Sequence, residues 1–213
     1  MSLRLITAPG IKPVSVADIS AQVRFDLTAE SSLIDSFIGA VTEKAENLTR
    51  RALITQTWEL ALEAFPCSTQ VVGPWQFPCC AQFRPYNSAP ILIPLAPVQS
   101  ITSVQYLDTD GVQQTMDPAA YVLDTASTPA RIVPAYQTTW PTAANMPGGV
   151  VVRFVAGYGL TAADVPESIK AWIKLNVASL YENRESVLVG ARAQQIELSI
   201  ADSLIAPYRV VNW

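Results

Sequence analysis

Histidine is absent from all 213 residues. Its absence excludes Ser-His-Asp and Cys-His nucleophile systems, the two-His-one-carboxylate iron site and most catalytic zinc sites. It also removes the side chain that most often shuttles protons near neutral pH. Cysteine is scarce: Cys67, Cys79 and Cys80 share one stretch, two of them adjacent. A structural zinc site asks for four ligands, usually in paired knuckles, so free thiols in a reducing compartment describe these three better. No apolar run approaches the ~18 residues of a membrane span. The opening "MSLRLITAPGIKPV" is broken by proline too soon for a secretory signal. The expectation is a soluble, intracellular protein with no membrane partner, no metal and no cofactor.

Basic charge is short in one region only. Residues 1–51 carry six basic and six acidic side chains, and residues 166–213 carry five of each. Residues 52–165 hold three basic residues (Arg84, Arg131, Arg153) against seven acidic ones, with 12 of the 16 prolines. With a net charge of −4, no global positive field exists to hold nucleic acid by its phosphates.

Half the residues are apolar, enough for a substantial core. Their periodicity divides the chain. "SVAD" (Ser15–Asp18) has capping-box spacing, and Val16, Ile19 and Val23 follow at helical intervals. "SSLIDSFIGAVTEKAENLTRR" sets Leu33, Ile34, Phe37, Ile38, Val41, Ala45 and Leu48 on one helical stripe. From Leu53 the period becomes two. "LITQTWELALEAF" reads as a strand, and "SITSVQYLDTDGVQQTM" as a hairpin turning at Asp110-Gly111. "AAYVLD", "ARIVP" and "GGVVVRFVAGYG" read as further short strands, with "GYG" as a sharp reversal. A proline-rich loop without period covers 66–90.

Helix returns in "DVPESIKAWIKLNVASLYENRES". Pro166 suits a first turn, and Asp164 with Glu167 has capping-box spacing. Ile169, Trp172, Ile173, Leu175, Val177 and Leu180 sweep an arc of roughly 200°, wider than the ~100° that one-sided packing needs. Asn176 and Asn183 fall inside it. Such a helix is central to its fold or shared with a neighbouring subunit. A short helix, "LSIADSLIA", is expected to stop at Pro207, leaving the tail "PYRVVNW". The expected architecture is α+β: one domain with a helical core (1–52 and 165–206), a small antiparallel β insertion (53–160) and a C-terminal tail (207–213).

No catalytic constellation stands out. Asp108, Asp110, Asp117 and Asp124 fall where hairpins and turns use aspartate, leaving a histidine-free carboxylate enzyme a poor fit. "DTDG" lacks the other ligands of a calcium loop. A small-ligand or carbohydrate-binding module would use Trp75, Trp140 and the proline-rich loop as an aromatic surface. "YENRES" offers Glu182, Arg184 and Glu185 as a solvated helix end or a partner patch. Tyr208, Arg209 and Trp213 are residue types enriched at interface centres, so the tail is expected to dock on a partner or fold back on its own subunit.

The segments in order resemble the head–tail connector (adaptor) proteins of long-tailed bacteriophages and prophages. The resemblance runs from "VSVADISAQVRFDLTAESSLIDSFIGAVTEKAENLTRRALITQTWEL" through "PLAPVQSITSVQYLDTDG" and "YVLD". It continues in "VVVRFVAGYG" followed by "VPESIKAWIKLNVASLYENRE", and ends at "PYR". The loop from Trp75 to Tyr86 departs from that pattern. The resemblance implies a structural protein and no enzyme, forming a portal-matched cyclic homo-oligomer beneath the portal that extends the DNA channel. Its partners would be copies of itself, the portal protein and the next connector or tail protein, without tight DNA binding. Its place would be the virion head–tail junction, after assembly in the host cytoplasm. Candidate interface residues are Trp172, Asn176, Asn183, Arg184, Arg192, Tyr208, Arg209 and Trp213.

Overall fold

The chain opens on a strand, β1 (Ser2–Thr7), ahead of any helix. The computed structural model describes residues 1–20, 27–66, 88–182 and 199–210. In order after β1 come α1 (Val16–Ser20), α2 (Leu27–Thr49), β2 (Gln56–Leu62), β3 (Ile91–Leu92) and β4 (Val98–Leu107). Then follow β5 (Gln113–Thr115), β6 (Tyr121–Asp124), β7 (Arg131–Pro134), β8 (Val150–Ala156), α3 (Glu167–Glu182) and α4 (Ser199–Ile205). Two compact units result. One joins Met1–Ala8 to Gln56–Ala156; the other joins Pro9–Thr55 to the described residues from Gly157 onward.

The first unit is built on two antiparallel sheets, one of five strands in the order β1-β2-β8-β4-β5 and one of three in the order β3-β7-β6. This overturns the expected helical core with a small β insertion. The strands form the larger architecture, and they include the first residues of the chain. β1 eluded the sequence pattern because its partner is β2, far along the chain, and all six of its residues are exposed. A strand at the edge of a sheet need not alternate in burial.

β8 does alternate, with Val150, Val152, Phe154 and Ala156 buried and the residues between them half-buried, as suits a strand paired on both sides. On the opposite face Arg4, Glu59 and Arg153 are register partners across three strands. Glu59 takes a guanidinium on each side, Arg4 at 3.0 Å and Arg153 at 2.9 Å. Opposite charges directly across strands reinforce the register that the apolar face sets. The expected hairpin is present: Gly111 has φ 79°, and Asp108 Oδ1 accepts from Asp110 N (3.0 Å) and Val112 N (2.9 Å). Its carboxyl sits below the usual range, chiefly through the Gln114 side-chain hydrogen bond.

The second unit is helical. Its core gathers Ile19 from α1, Ile34, Ile38, Val41 and Ala45 from α2, Ile169, Trp172, Ile173 and Val177 from α3, and Ile205 from α4. The Ser15–Asp18 box forms as the spacing predicts: Ser15 N and Oγ donate to Asp18 Oδ2 at 2.8 and 2.7 Å, and Asp18 N donates to Ser15 Oγ at 3.2 Å. Before α3 the box is shifted. Thr161 and Asp164 form it around a 3-10 turn, Ala162–Asp164, and α3 starts at Glu167. α4 ends at Ile205, ahead of Pro207, and Pro207 lies in a 3-10 turn, Ala206–Tyr208.

Gly157 is required by a close approach. It has φ 141°, and a Cβ there would sit 2.6 Å from Thr55 N and 2.7 Å from Ile54 C and O. The chain bends at Gly157 and Tyr158, and "GYG" runs beside residues 53–55, with Thr55 N donating to Gly159 O at 2.9 Å. Gly157→Ala is expected to lower unfolding free energy by about 2 kcal/mol or more, read from urea denaturation, because both conformation and clash oppose it.

Asp18 supplies a pH test. Its side-chain and backbone hydrogen bonds from Ser15 hold its carboxyl below the ordinary value. A lowered folded-state pKa contributes stability above the unfolded value of about 3.9, and that contribution is lost as pH falls through the folded one. Asp18→Ala is therefore expected to cost about 1 kcal/mol at pH 7, as lost caps do. The gap between mutant and wild-type melting temperatures should narrow below pH 3.

Candidate interaction surface

α3 buries Ile169, Trp172, Ile173, Asn176 and Val177, a single i, i+3, i+4, i+7, i+8 stripe. Leu175 and Leu180, the rest of the wide apolar arc, remain 42% and 43% exposed. The helix is central to its own unit and still carries apolar side chains that nothing among the described residues fully covers.

Trp172, expected at an interface, is 1% exposed and sits in the core. Its Nε1 donates to Asp202 Oδ1 at 3.2 Å, and Lys44 Nζ lies 5.7 Å from its ring centroid. Asn176 is also buried, its Nδ2 donating to Trp172 O at 2.9 Å. Both side chains are buried within the chain and hold the helix in place. At the end of α3, Tyr181 Oη donates to Glu30 Oε2 on α2. Asn183, Arg184, Arg192 and Trp213 lie outside the described residues.

The start of the tail returns to the end of α2. Arg51 Nε donates to Tyr208 O at 2.7 Å and Val210 N donates to Thr49 O at 3.0 Å, with Val210 buried. The Arg51 guanidinium lies 5.9 Å from the Tyr158 ring centroid. Burial raises the Tyr158 phenol above its ordinary pKa, and the Arg51 charge opposes that rise. Tyr208 is half-buried and Arg209 exposed. Arg50 completes the group on an exposed turn with φ 53°. Arg50 and Arg51 carried no signal on their own, because what brings them to Arg209 is the backbone pairing of residues distant in sequence.

The aspartates expected in turns are used there. Asp117 accepts from Ala119 N at 2.9 Å, and Asp124 takes Arg131 Nε at 2.7 Å, which holds its carboxyl low. Trp140 is not a ligand platform. It is 2% exposed, stacked on Phe65 at 5.0 Å, with Nε1 donating to Ala89 O at 2.8 Å. Trp75 and Cys67, Cys79 and Cys80 lie outside the described residues. A cleft near Tyr106 and Met146 encloses 180 Å³, below the ~300 Å³ at which small-molecule sites begin.

No protein-family profile matches the chain, and no curated protein sequence matches it. Solved structures do match. A chain in the neck of an empty gene transfer agent particle, computed with C6 symmetry, aligns at TM-score 0.74 and 24% identity. The alignment covers 100% of this chain and 97% of that one. The fold is that of a particle-neck chain. The neck of the native particle, computed with C12 symmetry, gives 0.71 at 21% identity with the same coverage. The native gene transfer agent virion gives 0.70 at 24% identity, again over 100% and 97%.

Removing residues 207–213 is expected to lower the melting temperature by several degrees. The deletion takes away two backbone-directed hydrogen bonds and the buried Val210. Differential scanning fluorimetry of the truncated protein checks this.

Proposed function

We infer that the chain is a structural head–tail connector subunit, assembling as a ring beneath a portal and extending the DNA channel toward the tail. The observation that carries this reading is the end-to-end likeness to neck chains of phage-like particles, 100% of this chain against 97% of theirs. The C6 and C12 symmetries of those necks support a cyclic assembly here. Exposed Leu175 and Leu180 on α3, and Leu3, Leu5 and Ile6 on β1, supply apolar area of the sort subunit contacts cover. A ring of identical subunits needs a heterologous contact, in which two different surfaces meet.

Native mass spectrometry over a concentration series, alone and with the cognate portal protein, tests the reading. A closed oligomer is expected; a monomer under both conditions would contradict it. Duplex DNA is expected to bind weakly or not at all at physiological salt, given the net charge of −4. Sub-micromolar, salt-sensitive binding in a gel-shift experiment would contradict a low-friction channel wall.

A further inference from the structure

Most cations among the described residues are already engaged. Arg4 and Arg153 flank Glu59, Arg131 meets Asp124, Lys12 meets Asp35 and Lys170 meets Glu167. Lys44 lies over Trp172, and Lys174 acts on Asp18. Three arginines remain without a carboxylate among the described residues: Arg50, Arg51 and Arg209. The Val210 N to Thr49 O bond and the Arg51 Nε to Tyr208 O bond bring them together at the end of α2. One arginine there would suffice to complement the helix C-terminus; three exceed that need.

The sheet unit has the opposite imbalance at one end. Met146 N donates to Glu63 O at 3.3 Å, Ala144 N donates to Leu107 O at 2.8 Å, and Leu107 N donates to Gly149 O at 2.8 Å. These bonds gather Glu63, Asp108 and Asp110 around one loop. The unit's described cations, Arg4, Arg131 and Arg153, are all held elsewhere. Glu63 and Asp110 are exposed.

We propose that Arg50, Arg51 and Arg209 of one copy receive the acidic end Glu63, Asp108 and Asp110 of the next copy in the ring. Three positive side chains of the helical unit meeting three negative ones of the sheet unit in the next copy form a heterologous pair, the kind that closes a cycle. Facing charges of this sort chiefly select partner and register, and apolar contacts supply much of the affinity. The inference rests on the connector reading and specifies which surfaces meet.

The test is charge exchange in the full chain, with circular dichroism to check folding and sedimentation velocity to read assembly, with and without the cognate portal. Asp108 stays intact because its carboxylate holds the hairpin turn, and Arg51 because it anchors Tyr208. Arg50→Glu with Arg209→Glu, or Glu63→Lys with Asp110→Arg, is expected to raise the concentration needed for assembly about tenfold or more. Combining the four changes should restore it. Wild-type rings with unaffected reversal variants, or no rescue in the combination, would overturn this inference alone. A wild-type chain that never assembles would overturn the connector reading with it. Loss of tight DNA binding in Arg50→Glu with Arg209→Glu would assign the arginines to phosphate and overturn the pairing.

Discussion

Burial of one indole organises the helical unit. Trp172 projects from α3 into the core, its ring lies beneath Lys44 of α2, and its Nε1 is satisfied by Asp202 of α4. A buried tryptophan contributes a large apolar area but needs a partner for its N–H, so it fixes both the depth and the rotation of its helix. With Trp172 inward, Ile169, Ile173, Asn176 and Val177 must follow, and Leu175 must face away. The return of residues 208–210 to the end of α2 then closes this unit and assembles the three arginines. The arginine cluster is thus a by-product of how the core is filled.

Charge is arranged differently in the two units. In the sheet unit the few cations reinforce register: Arg4 and Arg153 clasp Glu59 across adjacent strands, and Arg131 meets Asp124 across β6 and β7. That leaves one end acidic. Among the described residues of the helical unit, Lys12 and Lys170 meet carboxylates and Lys44 lies over Trp172, while Arg50, Arg51 and Arg209 have no carboxylate partner. Exposed charges of one sign repel one another and favour a partner of the other sign, and salt weakens the preference over a range of about 10 Å at 0.1 M. A chain of net charge −4 with a basic patch among its described residues has no general attraction to nucleic acid.

Local signals in the sequence translated well. The Ser15–Asp18 box, the α2 stripe apart from its exposed last member Leu48, and the Asp108–Gly111 hairpin formed where spacing put them, because each depends on residues within a turn or two. The scale of the sheet did not. Among the described residues β1 pairs with β2 alone, so its six exposed residues gave no burial pattern to read, and its omission made the strands look like an insertion. Trp140 looked like a surface aromatic because its stacking partner, Phe65, is remote in sequence. Trp172 and Asn176 looked like interface residues because a wide apolar arc does not say which of its flanks the chain itself covers. Arg209 was legible as a candidate; its neighbours Arg50 and Arg51 were not, since only the fold brings them together.

The connector reading makes a claim about place that a direct image can test. Cryo-electron microscopy of this chain assembled with its portal protein is the most direct measurement. The account predicts a closed ring of copies, coaxial with the portal and leaving an open channel, each copy touching its neighbours through two different surfaces. Isolated copies bound at scattered positions on the portal, or a two-fold dimer joined through the same surface on both copies, would contradict it.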